Sequence, residues 1–380
     1  MIIRIHLWLG LTSGLIVLLL SVTGAIFEFA PEIQDWHYHD ILYAREITGR
    51  PLPVSFLISK ARKILGPDKK ISWTTVFDDP AKNWAFYSYK MNPEGITYFS
   101  VVNHYDAVYL NPYSGKMAGI IDYKNDFFSL VKDLHWSLLL RTSVGQPIVG
   151  WATVIFVILL ISGLFLWWPR SFRHAGNLFR LKWHRRTKFY RKLYDLHNVL
   201  GFYSMLIALI IALSGMVWSF QWFQRLVYVA ASGTTSPPQA MVVHSVPTKS
   251  ALFLNPIDLA LHTARDKYAD AAVFRIRQPT KDSLGTISIA VQELAGKYYR
   301  SNELLFDRYT GQLLDEKTQS DKNAGEKLIA AAYDIHVGAI AGLPGRIIAF
   351  LVCVICALLP VTGFLMWWKR THSKKRKSLI

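Results

Sequence analysis

Four stretches of the chain contain no charged residue and are each long enough to cross a lipid bilayer. They cover residues 7–27, 147–168, 198–224 and 347–368. A membrane-spanning helix needs about 20 consecutive, mainly apolar residues. The first stretch is similar to a signal peptide, but it lacks a small-x-small cleavage motif and three further spans follow it. The sequence therefore predicts a membrane protein with four transmembrane helices, the first of which is an anchor.

The positive charge of the chain is concentrated beside these spans. The formal net charge is +17; residues 170–192 contain nine Lys and Arg, the tail from Lys369 contains six, and neither segment has an acidic residue. Cytoplasmic loops of membrane proteins carry such an excess of Lys and Arg. Both termini and the middle loop are therefore predicted to be cytoplasmic, in a bacterial inner membrane. Since topology accounts for the basic loop, no nucleic-acid partner is expected.

The second half of the chain repeats the first. Each half contains a span, a segment of mixed helix and strand character, a short amphipathic helix and a second span. The repeat is clearest in two turn sequences, which are N-P-Y-S-G-K-M at 111–117 and D-R-Y-T-G-Q-L at 307–313. Because the two halves face the same way in the membrane, the repeat is parallel and not inverted.

The predicted fold is that of a mainly α membrane protein, with a four-helix transmembrane bundle and two exported α+β domains in tandem. The predicted segments are span 1 (1–30), the first exported domain (31–125), an amphipathic helix with span 2 (126–169), the basic loop (170–192), span 3 (193–224), the second exported domain (225–324), an amphipathic helix with span 4 (325–370) and the basic tail (371–380). In the exported domains, residue patterns predict helices at 53–65 and 256–268. They predict strands at 71–77, 84–90, 96–103, 108–111, 272–277, 286–291 and 298–301.

One histidine lies near an end of each span. His6 and His197 begin spans 1 and 3, whereas His135 and His336 lie on the amphipathic helices that lead into spans 2 and 4. A single histidine at a membrane surface commonly serves only as a hydrogen-bonding residue. Four of them in matched positions of a repeat favour a shared function.

Glycines accompany these histidines at regular spacing. His6 precedes Gly24 by 18 residues, and His197 precedes Gly215 by 18 residues. This separation is about five helical turns, so each histidine shares a helical face with a glycine at the other end of its span. The glycines included in the predicted site are Gly10, Gly24, Gly163, Gly201, Gly215 and Gly363.

This pattern predicts two b-type haems held between pairs of histidines. Neutral imidazoles are good axial ligands for haem iron, and glycines would leave room for the flat porphyrin between helices. His6 with His197 would hold one haem, and His135 with His336 would hold the other, on the opposite side of the membrane. His37 or His39 is an alternative to His135. Two haems stacked in one bundle would carry electrons across the bilayer.

The two cysteines, Cys353 and Cys356, lie inside span 4. A Cys-x-x-Cys pair can be redox-active, but a reactive thiolate requires a polar environment. We therefore interpret both as small residues packed within the helix. No cysteine lies outside the spans, so the exported segments have no disulfide framework.

Several motifs together resemble the PepSY-associated transmembrane family, including its FoxB-like ferrisiderophore reductases. These are H-x-x-x-G at the start of spans 1 and 3, D-[LI]-H before spans 2 and 4, W-W-x-R at their ends, and the two turn sequences. The resemblance covers nearly the whole chain. It implies exported PepSY-like domains in the periplasm and haem-dependent reduction of a ferric siderophore of hydroxamate type to Fe(II), in iron acquisition.

The sequence contains no G-x-G-x-x-G fingerprint for a nicotinamide or flavin cofactor. Electrons are therefore expected from a partner, either a quinol or a cytoplasmic reductase. Two other classes of protein remain open. One is a permease for an iron chelate, although the cores of the spans lack the charged residues that coupled transporters use. The other is a periplasmic binding or regulatory module that the helices only anchor.

Overall fold

A computed structural model describes residues 1–169, 179–181, 183–236, 238, 242–247, 254–279 and 283–377, with side chains as far as 372. Much of the predicted basic loop and the end of the tail lie outside these residues. The chain forms two compact units. The helical unit contains Met1–Phe29, Val131–Arg225 and Ala332–Ile380, and the sheet unit contains Ala30–Leu130 and Leu226–Ala331.

The described residues form thirteen α-helices. They are α1 (Ile2–Glu28), α2 (Ala30–His37), α3 (His39–Leu42), α4 (Val54–Leu65), α5 (Tyr98–Val101), α6 (Phe127–Ser137), α7 (Thr142–Trp167), α8 (Phe189–Asp195), α9 (Gly201–Ser219), α10 (Gln221–Ser232), α11 (Pro256–Lys267), α12 (Ala324–His336) and α13 (Gly342–Lys377). A π-helical turn, Leu196–Leu200, joins α8 to α9, and a short 3₁₀ turn, Ala339–Ala341, precedes α13.

Four helical segments of the described chain are long and apolar enough to cross a membrane, as predicted. They are span 1 (Ile2–Glu28), span 2 (Thr142–Trp167), span 3 (Phe189–Ser219) and span 4 (Ala339–His372). All four spans bury only a minority of the residues in their most apolar stretch within the protein. The remaining apolar side chains therefore face outward, as those of a bundle in lipid do. The chain is a multi-pass membrane protein.

The two segments between the spans build one continuous antiparallel sheet. Its strands are β1 (Ile71–Phe77), β2 (Trp84–Met91), β3 (Val102–Leu110), β4 (Met117–Asp122), β5 (Val273–Arg277), β6 (Ile287–Gln292), β7 (Ser301–Phe306) and β8 (Leu313–Lys317). The strand order is β4-β3-β2-β1-β5-β6-β7-β8. Each segment thus provides four strands, and the antiparallel pairing of β1 with β5 joins the halves.

One face of this sheet packs against α4 and α11 to form the main core of the unit. Leu57 from α4 and Ala264 from α11 are fully buried there with Phe86 and Ile276 from the strands. Alternate residues of each strand point to opposite faces. The sheet therefore presents a second face that these two helices do not cover.

The two repeated turn sequences adopt the same local structure. The Asn111 side-chain oxygen accepts hydrogen bonds from the backbone N–H groups of Tyr113 and Ser114, at 2.8 and 3.0 Å. The Asp307 carboxylate accepts the equivalent bonds from Tyr309 and Thr310, both at 2.8 Å. A side-chain oxygen that caps the backbone two and three residues later stabilises a tight turn. The two turns therefore share one local geometry, as expected for equivalent places in a repeat.

Two of the predicted strands are wrong over most of their length. Residues 96–103 were expected to be extended because they include β-branched and aromatic residues, but Tyr98–Val101 is helical. The side chains of Thr97 and Ser100 cap this short helix reciprocally, and such a capping box favours a helical turn. In the second half, the strand begins at Ser301 and not at 298.

The sheet core provides a matched pair of substitutions on α4. Leu57 is fully buried, whereas its neighbour Phe56 is 52% exposed. We expect Leu57→Ala to destabilise the sheet unit by about 2–5 kcal/mol, because it leaves a cavity in a packed core. Phe56→Ala should change stability by no more than about 1 kcal/mol. Denaturant unfolding followed by near-ultraviolet circular dichroism checks both, and equal effects would contradict the assigned core.

Candidate functional site

The four predicted histidines form two pairs in the helical unit. His6, in the first turns of α1, and His197, in the π-helical turn, have ring centres 6.4 Å apart. His135, near the end of α6, and His336, the last residue of α12, have ring centres 6.1 Å apart. The tertiary structure thus brings together the same partners that the repeat indicates. We call them the first pair (His6, His197) and the second pair (His135, His336).

Each imidazole is held by a hydroxyl group from another span. In the first pair, His6 Nδ1 lies 2.8 Å from Ser162 Oγ, and His197 Nδ1 lies 2.9 Å from Thr362 Oγ1. In the second pair, His135 Nδ1 lies 3.0 Å from Thr23 Oγ1 and His336 Nδ1 lies 3.2 Å from Ser214 Oγ. The same contact therefore occurs four times. It joins two spans in the first pair, and it joins α6 or α12 to a span in the second pair.

These contacts favour one position for the proton of each imidazole ring. Thr362 Oγ1 donates its own hydrogen to the Leu358 carbonyl, at 2.9 Å, so its oxygen accepts a hydrogen bond from His197 Nδ1–H. His336 Nδ1 also lies 2.9 Å from the Ile211 carbonyl oxygen, which can only accept. Thr23, Ser162 and Ser214 donate to carbonyls of their own helices in the same way. This arrangement favours the tautomer in which Nδ1 carries the proton and Nε2 keeps its lone pair.

The glycine that follows each hydroxyl residue lies against the same imidazole ring. A Cβ on Gly163 would lie 3.4 Å from His6 Cε1, and one on Gly363 would lie 3.5 Å from His197 Cε1. For the second pair the distances are 3.3 Å from Gly24 to His135 Cε1 and 3.0 Å from Gly215 to His336 Cε1. The four Ser/Thr-Gly dipeptides thus combine a hydrogen-bond acceptor with space for the ring. From the sequence, we expected the space beside the glycines to hold a porphyrin. We did not predict that the neighbouring hydroxyls bond the imidazole rings.

The two other glycines of the predicted site contact leucines instead. A Cβ on Gly10 would lie 3.9 Å from Leu159 Cδ2, and one on Gly201 would lie 3.6 Å from Leu359 Cδ2. Both distances are ordinary van der Waals contacts. Gly10 and Gly201 thus occupy equivalent places in the repeat, but neither touches a histidine.

Local backbone irregularities accompany the histidine pairs. His197 lies in the π-helical turn Leu196–Leu200, a rare conformation that occurs often at functional sites. Two residues with positive φ, Leu138 at 58° and Leu139 at 56°, follow α6 shortly after His135. Left-handed backbone is unusual for leucine and persists where the surrounding structure holds it. Neither the π-helical turn nor the two left-handed leucines could be predicted from the types of residue present.

A buried ion pair connects spans 1 and 4. Arg346 Nε lies 3.2 Å from Glu28 Oε1, with side-chain exposures of 18% and 5%. Arg346 also lies 5.1 Å from the ring of Phe29. Separating a buried pair leaves an uncompensated charge, which costs several kcal/mol. The sequence patterns place both charges near span ends and do not indicate that they meet.

The alternative histidines and the cysteines lie in different surroundings. His37 and His39 belong to the sheet unit, where their rings contact those of Tyr38 and Tyr43 at 4.6 and 4.4 Å. Cys356 is buried within span 4. Cys353 Sγ lies 3.5 Å from the position that a Cβ on Gly24 would occupy. Neither His37 nor His39 has a histidine ring as its stacking partner among the described residues.

The geometry of both pairs fits the axial ligation of a haem iron. Two metal–nitrogen bonds of about 2 Å each, with about 1 Å from each nitrogen to its ring centre, separate the ring centres by about 6 Å. The observed separations are 6.4 and 6.1 Å. A metal bound by protein groups alone usually has at least three ligands. The described residues contain no group of three or more His, Cys, Asp or Glu that could hold a metal ion.

The fold and the repeated pairs define a class of four-span membrane proteins with a sheet-forming segment between the spans of each half. The PepSY-associated TM region family matches residues 3–370, and the chain belongs to this family. A comparison with curated proteins found no significant match. The family confirms the resemblance seen in the sequence, while the FoxB-like branch stays a prediction.

The contact between Gly215 and His336 can be tested by adding one methyl group. Gly215→Ala would place Cβ 3.0 Å from His336 Cε1, so we expect a loss of about 1–3 kcal/mol from overpacking. Gly10→Ala is the matched control, because its Cβ meets only a leucine methyl at 3.9 Å. Alanine is about 1 kcal/mol better than glycine inside a helix, so the control should be neutral or stabilising. Thermal unfolding in detergent measures both, and a stabilising Gly215→Ala would contradict the assigned contact.

Proposed function

We propose that the protein is a membrane oxidoreductase with two b-type haems, which passes electrons across the bilayer to reduce a ferric siderophore of hydroxamate type. The observation that carries this proposal is the fourfold repetition of one contact. Each of four imidazoles has Nδ1 within hydrogen-bond distance of a Ser or Thr hydroxyl of a different helix, and in this proposal Nε2 binds the iron. Two such pairs in one bundle provide two sites with the same donor set.

The residues around each imidazole have a definite task in this proposal. A haem held between two imidazoles has no open coordination position and supplies one-electron transfer. The hydroxyls of Thr362 and Ser162 accept the Nδ1–H groups of the first pair and fix the ring orientation. Partners of this kind set ligand basicity and orientation in metal sites. Gly363 and Gly163 let the rings approach the neighbouring helix.

Reduction of the ferric chelate is proposed for the periplasmic side, in an inner membrane with both protein termini in the cytoplasm. Hydroxamate oxygens are hard ligands that favour Fe(III), so reduction to Fe(II) weakens the complex. Electrons would enter from a quinol or a cytoplasmic reductase. The siderophore is the proposed substrate, and the family membership supports a transmembrane location for the protein.

The two competing functions explain fewer of the observations. A coupled permease needs ionisable groups that change partners during transport, whereas Glu28 and Arg346 in spans 1 and 4 are bonded to each other. A binding module anchored by helices would need no matched histidine pairs. Neither alternative accounts for the four hydroxyl–imidazole contacts.

The visible spectrum of the purified protein tests the proposal. We expect split, sharpened bands on reduction with dithionite, and about two haems per chain by pyridine haemochromogen assay. His197→Ala should lose one haem, because it removes one axial ligand of the first pair. It should also abolish reduction of an external ferric hydroxamate by dithionite trapped inside proteoliposomes.

His262→Ala is the control, since that imidazole is exposed in the sheet unit and pairs with Asp266 at 2.8 Å. This variant should keep both haems and full transfer. A folded, colourless wild-type protein would refute the cofactor assignment. Retention of two haems by His197→Ala would refute the ligand pair. A protein that binds two haems but does not reduce the ferric hydroxamate would refute only the proposed substrate.

The hydroxyl partners should tune the bound iron. Thr362→Val keeps the side-chain shape but removes the acceptor for His197 Nδ1–H. We expect a higher midpoint potential for one haem, because an imidazole without that bond is a weaker donor. Thr153→Val is the matched control, since Thr153 bonds only its own helix, to the Val149 carbonyl at 2.8 Å. Spectroelectrochemical titration compares them, and identical potentials would contradict this role.

A further inference from the structure

The sheet unit contains an open cleft of about 1260 Å³ on the face opposite α4 and α11. Its lining residues come from both halves of the sheet, around the junction of β1 and β5. Pockets for organic ligands usually measure about 300–1,000 Å³. The cleft therefore has room for such a molecule together with some water.

The strand register explains why a cleft forms at this place. On β5, Arg277 lies directly opposite Trp73 of β1, and Arg275 lies two residues before it on the same face. On β6, the residues opposite Arg275 and Arg277 are Ala290 and Ser288. Directly opposite residues project from the same face of a sheet. On this face of the sheet, β1 thus carries large side chains and β6 carries small ones, and β5 between them carries the two arginines.

Aromatic rings form one side of the cleft. Trp73 stacks on Tyr87, with ring centres 4.9 Å apart and planes 13° apart, and Tyr105 lies 6.0 Å from Trp73. Arg275 lies over the ring of Tyr298, at 5.2 Å. Burial raises the pKa of Tyr87, so its phenol stays neutral beside Arg275. The aromatic side therefore leaves the guanidinium charge uncompensated.

The two arginines also lack acidic partners. Within the described part of the chain, no ion pair involves Arg275 or Arg277. Arg275 is half-buried and Arg277 is exposed. The acidic residues of the cleft lie at strand ends or on β7, and they are Asp78, Asp79, Asp270 and Glu303. The middle of the cleft therefore carries two unpaired positive charges beside stacked rings.

We propose that this cleft binds a soluble organic anion that carries an aromatic ring. A carboxylate can accept paired hydrogen bonds from a guanidinium group, which Arg275 and Arg277 supply. The ring of the ligand packs on Trp73 and Tyr87, as aromatic groups do at 4.5–7 Å. Charge complementarity selects this ligand class over a neutral one. The site belongs to the sheet unit alone and does not depend on the haem proposal.

Calorimetric titration of the full-length protein in nanodiscs tests this site, with empty nanodiscs as the blank. The probe is naphthalene-2-carboxylate. It is compared with naphthalene-2-carboxamide, which has the ring without the charge, and with cyclohexanecarboxylate, which has the charge without an aromatic ring. We expect saturable binding of the first probe and at least tenfold weaker binding of the other two. This comparison needs no variant, so it holds even if a substitution impairs folding.

Variants then locate the site. Arg275→Gln and Trp73→Leu should each weaken naphthalene-2-carboxylate binding at least tenfold. Arg300→Gln is the matched control, because Arg300 lies over Tyr299 at 5.7 Å, outside the cleft, and it should bind within twofold of the wild type. Far- and near-ultraviolet circular dichroism of each variant check that both units are intact.

Three results would overturn the proposal. The first is equal binding of the carboxylate and the carboxamide, which would show that the charge is not recognised. The second is unchanged binding in both Arg275→Gln and Trp73→Leu. The third is binding of an acidic, tryptophan-containing peptide without binding of the aryl carboxylate, which would identify the cleft as a peptide site. None of these results bears on haem content, so failure here is distinct from failure of the proposed function.

Discussion

An imidazole inside an apolar helical bundle must find a hydrogen-bond partner within the protein, because lipid offers none. In this protein the partner is a Ser or Thr hydroxyl of another span, and the next residue is a glycine that admits the ring. Such a contact requires two helices to match in height and rotation. Four copies of it therefore fix the register of the helices.

The sheet unit also depends on contacts between the two halves of the chain, because two similar segments together form one sheet. Each provides four strands and one helix to the shared core, and β1 pairs with β5 where the segments meet. Alone, each four-stranded sheet would leave β1 or β5 as an exposed edge strand, and exposed edge strands favour aggregation. Their union places β1 and β5 in the middle of the sheet. It also creates the cleft, whose arginines and tryptophan come from different halves.

Sequence reasoning succeeded where a pattern is local and periodic. Charge-free runs located the four spans, and the turns at 111–117 and 307–313 were recognised because the two halves of the chain have similar sequences there. It failed where two local preferences compete. At 96–103, β-branched and aromatic residues favour a strand, but the Thr97–Ser100 capping box favours a helical turn. The π-helical turn at His197 has no residue signature, because it depends on how the flanking helices are held.

The sequence by itself located the four spans and predicted the parallel repeat and the two histidine pairs, because hydropathy and spacing are properties of a chain read in order. Only the tertiary structure decided three other matters. It joined the two segments in one sheet, bonded Glu28 to Arg346, and assigned each imidazole to a particular hydroxyl. These contacts join residues that are more than 100 positions apart in the chain. Their formation depends on helix rotation and strand register, which no local pattern specifies.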